Sequence, residues 1–253
     1  IGMLARAVAD MTDALRHRID AVEHFAADVA HEIKNPLASL RSATESLRTV
    51  DDPTLRAQLL DIAIHDVRRI DRLVTEISDA SRIDAELSRA TFQPVDLAAM
   101  VGNIIERRRN RGLDDRRDVV FEPPRHPTRV MGVPERLERV IDNLLDNAVS
   151  FSPEGGRIDV AIEQDRGALL LMVMDEGPGI GPEAREKIFE RFHSDRPEDE
   201  GFGNHSGLGL AIARTIAEAH EGTLSAQDRP DGKPGACLGL ALPVQSGDEP
   251  SGD

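Results

Sequence analysis

Residues 28–40, DVAHEIKNPLASL, bring together side chains that could carry out phosphoryl chemistry on one helix. Neutral imidazole is a nucleophile, so the ring of His31 could attack phosphorus. To attack phosphorus with one ring nitrogen, His31 must lose the proton from the other, and Glu32 offers a carboxylate for it. Asn35 lies one turn further on the same helix face, and Pro36 predicts a kink. An isolated histidine on a helix is more often an ordinary polar surface residue, so this pattern alone leaves both interpretations open.

A second group of polar residues lies in the segment NLLDNAVSFS. Asn143 and Asn147 are four residues apart, so they share one face of a helix. A carboxamide oxygen is a hard ligand that suits Mg²⁺, an ion that keeps several waters and bridges substrate phosphates. Two exposed polar residues on an amphipathic helix would show the same spacing, and that alternative stays open.

Two glycine pairs follow further along the chain. In DEGPGI, Asp175 ends an apolar segment and could accept a hydrogen bond from an exocyclic amine, while Gly177 and Gly179 allow a ligand close to the backbone. In HSGLGLAIARTIAEAH, Gly207 and Gly209 begin a helix whose free N–H groups could hold an anion. Each pattern alone is weak evidence, because acidic turns are common and neither a Walker sequence nor the third glycine of a dinucleotide fingerprint is present.

The first part of the chain must place the histidine on a helical hairpin. Its apolar residues recur at steps of three and four, and the turn DDPT at 51–54 separates two such stretches. Two long helices joined by a short turn form an antiparallel hairpin. One hairpin has too little core to be stable alone, so we expect two copies to form a dimeric four-helix bundle. The first stripe comprises Phe25, Val29, Ile33, Leu37, Leu40, Thr44 and Leu47, and the second comprises Leu55, Leu59, Ile62, Ile70, Leu73 and Ile77.

The pattern changes near residue 90 to mixed strands and helices, with consecutive strands paired as hairpins. This order predicts an α/β sandwich with helices on one face of the sheet. The predicted strands are FQPV, DVVFEP, TRVMG, RIDVAIEQD, ALLLMVMDEG, GTLSAQDR and ACLGLALPV. The predicted helices are DLAAMVGNIIERRR, PERLERVIDNLLDNAVSF, PEAREKIFERF and GLGLAIARTIAEAH. The tail QSGDEPSGD is polar, and we expect it to be disordered.

Composition excludes several classes of protein. The net charge of −15 argues against a nucleic-acid surface, which would be basic. The basic run at 107–117 is typical of a solvated helix end. One cysteine cannot build an internal disulfide framework and fits a reducing compartment. The sequence has neither a signal peptide nor an apolar stretch of about 20 residues, and since it begins Ile-Gly we expect it to be a fragment.

Taken together, these motifs resemble the sensor histidine kinases of two-component systems. Asn-x-x-x-Asn, D-x-G-x-G and G-L-G-L follow one another as the N, G1 and G2 boxes of that family do, and IFERF at 188–192 matches its F box. HEIKNP matches its phosphoacceptor motif, and residues 193–205 correspond to its ATP lid. The segments NAVSFSPEGG and NHSGLGLAI are most similar to those of the ChvG-like envelope sensors of alphaproteobacteria.

The resemblance implies a multidomain chain. Residues 1–20 would be the C-terminal helix of a HAMP-like linker, and 21–88 the dimerisation and histidine phosphotransfer hairpin. Residues 89–245 would be the ATP-binding domain with a Bergerat-type fold, and 246–253 a disordered tail.

The same resemblance assigns roles to residues. Asn147 would contact Mg²⁺, Asn143 would support the phosphates, and Asp175 would bind the adenine amino group. Many relatives carry Lys then Tyr where Ser150 and Phe151 stand, so the basic phosphate contact from that helix is missing, while Phe151 can still pack on adenine. Residues that could supply the missing contact are Arg191, Arg196 and His205. The full set of implied residues for ATP and Mg²⁺ is Asn143, Asn147, Phe151, Asp175, Gly177, Gly179, Arg191, His205, Gly207, Leu208 and Gly209, and the implied catalytic residues are His31, Glu32 and Asn35.

The implied function is autophosphorylation of His31 by ATP, followed by transfer to an aspartate of a response regulator. Asn35 would position water for dephosphorylation of that regulator. The implied partners are a second copy of the chain and the cognate regulator, with no nucleic acid. The resemblance also places the chain as the cytoplasmic portion of a bacterial inner-membrane protein, anchored through a preceding part.

Three other interpretations compete with this one. A zinc hydrolase motif H-E-x-x-H would need a second histidine where Asn35 stands. An ATPase of the gyrase and chaperone type shares the nucleotide fold but carries glutamate at the first N-box position, which is Asn143 here. A degenerate kinase acting only as a signalling scaffold would not need the complete set of boxes.

Overall fold

The computed structural model describes residues 2–87, 90–114, 116–193 and 207–244, which divide into two compact units at residue 79 within the second helix. The helical unit contains α1 (Gly2–Leu47) and most of α2 (Pro53–Leu87). The helix α1 continues through Pro36. None of the helices among the described residues is long and apolar enough to cross a membrane.

The turn between α1 and α2 is closed by side chains at both helix ends. Asp52 caps α2, since its Oδ1 accepts hydrogen bonds from the backbone N–H groups of Thr54 at 2.8 Å and Leu55 at 3.3 Å. Arg56 reaches back and donates to the carbonyl oxygens of Leu47 at 3.0 Å and Val50 at 2.9 Å. These bonds satisfy groups that helix ends otherwise leave unpaired, and they confirm the hairpin that the sequence predicts.

The α/β unit is built on one five-stranded sheet and a small two-stranded sheet. The large sheet has the order β2-β4-β5-β7-β6, in which only the β2–β4 pair is parallel. The small sheet pairs β1 with β3 in antiparallel register. The strands are β1 (Gln93–Asp96), β2 (Asp118–Phe121), β3 (Arg129–Gly132), β4 (Arg157–Asp165), β5 (Ala168–Met174), β6 (Thr223–Asp228) and β7 (Ala236–Pro243).

Three helices cover the sheet: α3 (Leu97–Arg111), α4 (Pro134–Phe151) and α5 (Gly209–Ala219). The central helix α4 packs against α3, α5 and β5. Its apolar residues recur at three and four positions and are buried, which gives the unit its core. Fully buried members of this core include Leu137, Ile141, Leu144, Leu145, Ile158, Leu169 and Leu171. The α/β sandwich predicted from the sequence is confirmed.

Two local predictions are wrong. The segment PEAREKIFERF forms turns around a single 3₁₀ turn, Lys187–Phe189, because Phe189 is the one fully buried anchor and no apolar stripe repeats around it. The basic run at 107–117 is not uniformly solvated. Arg108 is buried and binds Asp114 at 2.9 Å and Asp146 at 2.8 Å, since a buried guanidinium needs carboxylate partners.

Candidate functional site

Asp175 follows the end of β5 and is buried. Its Oδ1 accepts hydrogen bonds from the backbone N–H groups of Gly177 at 2.8 Å and Ala236 at 3.1 Å. Its backbone N–H donates to the carbonyl of Ala236 at 3.0 Å. The other carboxylate oxygen, Oδ2, has no hydrogen-bond partner within the part of the chain that the structure describes. One fixed oxygen and one available oxygen suit an external donor such as an amine.

The glycines after Asp175 are required by close backbone contacts. A Cβ on Gly177 would lie 2.8 Å from the carbonyl oxygen of Phe151 and 2.9 Å from Asp175 Oδ1. The chain therefore folds directly over the carboxylate only because position 177 has no side chain. Burial raises the pKa of Asp175 above its ordinary value of 3.8, partly offset by the two backbone hydrogen bonds and by Arg229.

Asn143 and Asn147 lie on α4 as the spacing predicts, but their surroundings differ. Asn143 Nδ2 donates to the carbonyl oxygen of Gly209 at 2.9 Å, which ties α4 to the first residue of α5. The half-buried side chain of Asn147 makes no hydrogen bond to the residues described. Asn147 is therefore the member of the pair whose carboxamide is available to a ligand.

The start of α5 is shaped by Gly207, which has a φ of 72°. A Cβ there would lie 2.8 Å from the backbone of Phe192, and the Gly207 carbonyl accepts the N–H of Phe192 at 3.0 Å. Only glycine combines this φ with such close packing. Leu208 is buried at the N-cap, and the N–H groups of the first turn of α5, beginning with Gly209, have no partners inside the helix.

On α1, His31 and Asn35 are both exposed, and neither side chain forms a hydrogen bond with a described residue. Glu32 is partly buried, and its Oε2 accepts a hydrogen bond from Arg69 Nη2 of α2 at 3.1 Å. Pro36 is buried. The histidine is thus free to react, while the adjacent carboxylate is held by a cation from the neighbouring helix.

Family models match both units. Residues 21–86 match the His Kinase A (phospho-acceptor) domain, and residues 132–246 match the histidine kinase-, DNA gyrase B-, and HSP90-like ATPase. Sensor protein ChvG of Rhizobium meliloti (strain 1021) is 49% identical over 258 residues, which are 96% of this chain and 44% of that protein. The chain belongs to the two-component sensor histidine kinases.

Other histidine kinases are similar over most of the chain. The signal transduction histidine-protein kinase/phosphatase MprB of Mycolicibacterium smegmatis is 34% identical over 97% of this chain and 50% of that protein. This chain therefore spans about half the length of the curated relatives it matches.

Solved structures agree with both units. The mycobacterial sensor histidine kinase MprB matches 60% of this chain and 97% of its own, with 36% identity and a TM-score of 0.50. The histidine kinase ThkA in complex with response regulator protein TrrA matches 91% of this chain and 64% of its own, with 25% identity and a TM-score of 0.72.

Within this histidine kinase, the structure brings most of the predicted nucleotide residues into one region of the α/β unit. Gly177 contacts the carbonyl of Phe151, and Gly209 contacts Asn143, so the N, G1 and G2 boxes adjoin. Phe151 and Arg191 are exposed. His205 and Arg196 lie outside the described residues, as does most of the segment predicted as the lid.

Three residues of this histidine kinase were not found from the sequence. Arg69 holds Glu32, as described above. Arg229 binds the Asp175 carbonyl at 3.0 Å, and His220 accepts a hydrogen bond from Val133 at 3.0 Å. Each contact joins positions distant in sequence, so no local motif could have indicated it.

Proposed function

We propose that this chain is an ATP-dependent protein-histidine kinase that phosphorylates His31 and passes the phosphoryl group to an aspartate of a response regulator. The observation that carries the proposal is the buried Asp175, with Oδ1 fixed by two backbone N–H groups and Oδ2 available. An adenine amino group can donate to Oδ2, which distinguishes ATP from nucleotides with a keto group at that position. The family match supports the same assignment.

In this proposal the nucleotide lies along the adjoining N, G1 and G2 boxes. Phe151 packs on the base, and the N–H groups of the first turn of α5, which follow Leu208 and begin with Gly209, face the phosphates, where a helix start favours negative charge. Gly177, Gly179 and Gly207 leave room for the ligand at the backbone. Arg191 or His205 supplies the cationic phosphate contact that the N-box helix lacks.

The residues present fit Mg²⁺ held mainly by phosphate oxygens and water. No group of three or more His, Cys, Asp or Glu side chains among the described residues could hold a metal alone. The unpartnered carboxamide of Asn147 offers one oxygen ligand, as expected for an ion that keeps several waters. When bound, Mg²⁺ neutralises charge on the phosphates during transfer.

Transfer to His31 forms a nitrogen–phosphorus bond and breaks the bond between the γ-phosphorus and the oxygen that leaves with ADP. The second ring nitrogen must lose a proton, and Glu32 is the nearest candidate in sequence to accept it. Glu32 is bound to Arg69, so its side chain has to exchange Arg69 for His31 before it can act.

The organisation that we propose keeps the boundaries inferred from the sequence. Residues 1–20 form the end of a HAMP-like linker, 21–88 dimerise and carry His31, 89–245 bind ATP, and 246–253 form a tail. A preceding part would anchor the chain at a bacterial inner membrane, with this portion in the cytoplasm. The complex of ThkA with the response regulator TrrA supports a regulator as the partner here.

A gyrase-type or chaperone-type ATPase is the alternative enzyme. Such an enzyme needs a general base at the first N-box position to activate water. Asn143 cannot act as a base, and its amide is engaged with the Gly209 carbonyl. This observation favours transfer to a protein nucleophile over hydrolysis, and the available Asp175 Oδ2 argues against a scaffold that binds no nucleotide.

The affinity of the Asp175→Asn variant for ADP, measured by titration calorimetry, tests the proposed nucleotide site. The asparagine oxygen can still accept both backbone hydrogen bonds, but its NH₂ group replaces Oδ2 and opposes the adenine amine. We expect ADP affinity to fall about tenfold or more. Because burial raises the pKa of Asp175, its charge costs stability at neutral pH, so the unliganded variant should be at least as stable as the wild type.

Glu176→Gln is the matched control, because Glu176 is an exposed carboxylate one residue away. We expect this variant to bind ADP like the wild type. Unchanged ADP affinity in Asp175→Asn, with the fold intact by circular dichroism, would exclude Asp175 as the adenine ligand.

A further inference from the structure

Arg229 is a buried cation directly behind the carboxylate assigned to adenine. It lies in the connection between β6 and β7, and only 1% of its side chain is exposed. Its Nη1 donates to the backbone carbonyl of Asp175 at 3.0 Å. A guanidinium so deeply buried needs its donors satisfied, and this carbonyl satisfies one of them.

Two carboxylates hold the Arg229 guanidinium in place. Asp231 accepts from Nε at 3.0 Å and from Nη2 at 2.7 Å, which is the two-pronged geometry of a strong arginine–carboxylate pair. Asp159 on β4 accepts from Nη2 at 2.9 Å. These partners raise the pKa of Arg229 and lower the pKa of Asp231, so both stay charged at neutral pH.

The start of β7 closes over the same carbonyl. Gly235 has a φ of 129°, and a Cβ there would overlap the carbonyl oxygen of Asp175. A Cβ on Gly179, the second glycine after Asp175, would lie 3.2 Å from the Gly235 carbonyl. Arg229 and Gly235 therefore contact the backbone carbonyl of Asp175, and the N–H groups of Gly177 and Ala236 bind its side chain.

We infer that Arg229 is a positioning residue for nucleotide specificity: it fixes the Asp175 peptide so that carboxylate oxygen Oδ2 stays aimed at the 6-amino group of adenine. The inference rests on the proposed role of Asp175. The positive charge of Arg229 also favours the ionised carboxylate of Asp175, which is the form that accepts the amine hydrogen bond. Arg229 touches neither nucleotide nor phosphate in this assignment, and it acts only through Asp175.

The test is the ratio of the dissociation constants of IDP and ADP, measured by calorimetry on the whole chain. IDP carries a keto oxygen where ADP carries the amine, so it lacks the donor to Oδ2. We expect the wild type to prefer ADP and Arg229→Gln to lose about tenfold of that preference, mostly through weaker ADP binding. Arg229→Lys keeps the charge but not the forked geometry, and it should restore part of the preference.

Arg157→Gln is the matched control. Arg157 also binds Asp159, at 2.6 Å, but its side chain is 53% exposed, and among the described residues it has no hydrogen bond or ion pair with Asp175. Its loss should leave the IDP/ADP ratio unchanged. If Arg229→Gln does not fold, Arg229→Lys and Asp231→Asn decide the question. Arg229→Lys keeps the positive charge but loses the forked guanidinium, and Asp231→Asn keeps the guanidinium but weakens the pair that holds it.

If the Arg229 variants bind ADP and IDP more weakly by the same factor, the inference is overturned, since Arg229 would then have a purely structural role. An unchanged ratio in folded Arg229→Gln, or in both substitute variants, would overturn it as well. If the wild type does not prefer ADP, or Asp175→Asn keeps the preference, the proposed role of Asp175 fails and takes this inference with it.

Discussion

His220 joins the ends of two helices that carry the nucleotide boxes. Its Nε2 accepts the backbone N–H of Val133 at 3.0 Å, at the N-cap of α4, and its Nδ1 donates to the carbonyl of Ile216 in α5 at 2.7 Å. Because the Val133 N–H can only donate, Nε2 must carry no proton. A Cβ on Gly132 would lie 3.1 Å from the ring, so the imidazole is closely packed as well as bonded.

Burial lowers the pKa of His220 from its ordinary value of 6.5. The folded state therefore binds fewer protons than the unfolded state, and the stability that His220 contributes is complete above pH 6.5 and decreases as the pH falls below it. We expect His220→Gln to cost about 1–3 kcal/mol at pH 7.5 and less at pH 5.5. Unfolding must be followed by circular dichroism, since the chain has no Trp or Tyr.

Phe92→Leu is the control for this prediction, because Phe92 packs against the His220 ring with centroids 4.9 Å apart but does not titrate. It should lower stability by the same amount at both pH values. A free-energy difference between wild type and His220→Gln that is equal at pH 7.5 and 5.5 would contradict the neutral, buried state of His220.

Substitution of Asn35 can distinguish two activities that we propose for this face of α1, autophosphorylation and dephosphorylation of a regulator. In the proposed function, autophosphorylation needs His31 and Glu32, whereas dephosphorylation of a docked regulator needs a group that holds water in line with the phospho-aspartate. The exposed carboxamide of Asn35 lies one turn from His31 and is available for that task. We expect Asn35→Ala to autophosphorylate within a few-fold of the wild type but to lose most phosphatase activity.

The assay for Asn35 is the decay of purified phospho-regulator with the chain and ADP present. Decay without the chain gives the spontaneous rate, and phosphotransfer from labelled Asn35→Ala shows that its kinase activity is intact. Equal, accelerated decay with wild type and Asn35→Ala would show that Asn35 does not position the water.

Some residues of the site could be predicted from local sequence because their chemistry depends on short spacing. His31, Asn147, Asp175 and the glycine boxes follow patterns of two to four residues, and the structure places each on the element expected. Arg229 and His220 could not be found in this way. Their partners are 54 and 87 positions away, and only the order of the strands and helices brings them together.

At the scale of elements, α2 carries an apolar row that the single chain leaves exposed. Leu60, Val67 and Val74 are seven residues apart and are 50%, 53% and 50% exposed. A heptad row of this kind is the seam of a helical bundle. None of these three residues belongs to the α2 stripe predicted from the sequence. Leu73, a member of that predicted stripe, is fully buried within the single chain, so its substitution would test folding rather than association.

We therefore expect Val67→Glu combined with Val74→Glu to convert a dimer into monomers, because charge in an apolar seam is costly to bury. The measurement is molar mass by light scattering. Gln58→Glu with Thr75→Glu adds the same charge at exposed polar positions of α2 and should remain dimeric. A dimer that survives the Val67 and Val74 changes would place the interface elsewhere.

Helices and strands with a clear apolar period could be predicted from the sequence, as could the pairing of strands joined by a short turn, but the pairing of strands distant in sequence could not. The central helix α4 and the β4–β5 hairpin follow from local pattern and short turns. The parallel contact of β2 with β4 and the small β1–β3 sheet depend on long-range packing that no local window contains. The segment around Phe189 was predicted as a helix from its helix-forming residues, but without an apolar stripe it forms only turns.

For the whole molecule, the proposed reaction uses groups from two separate units. The helical unit presents an exposed histidine, and the α/β unit presents a buried carboxylate with one available oxygen. In the proposed function, phosphoryl transfer needs both units. A chain that binds ATP yet leaves His31 unmodified would be an ATPase or a scaffold.

The most direct measurement is incubation of the chain with γ-labelled ATP and Mg²⁺, comparing wild type with His31→Gln and His65→Gln. His65, a histidine of the same hairpin, serves as the matched control. We predict label on wild type and His65→Gln, in an acid-labile and base-stable linkage as expected for a phosphoramidate, and none on folded His31→Gln. Label that persists on His31→Gln, or release of free phosphate with no label on the wild-type chain, would contradict phosphorylation of His31.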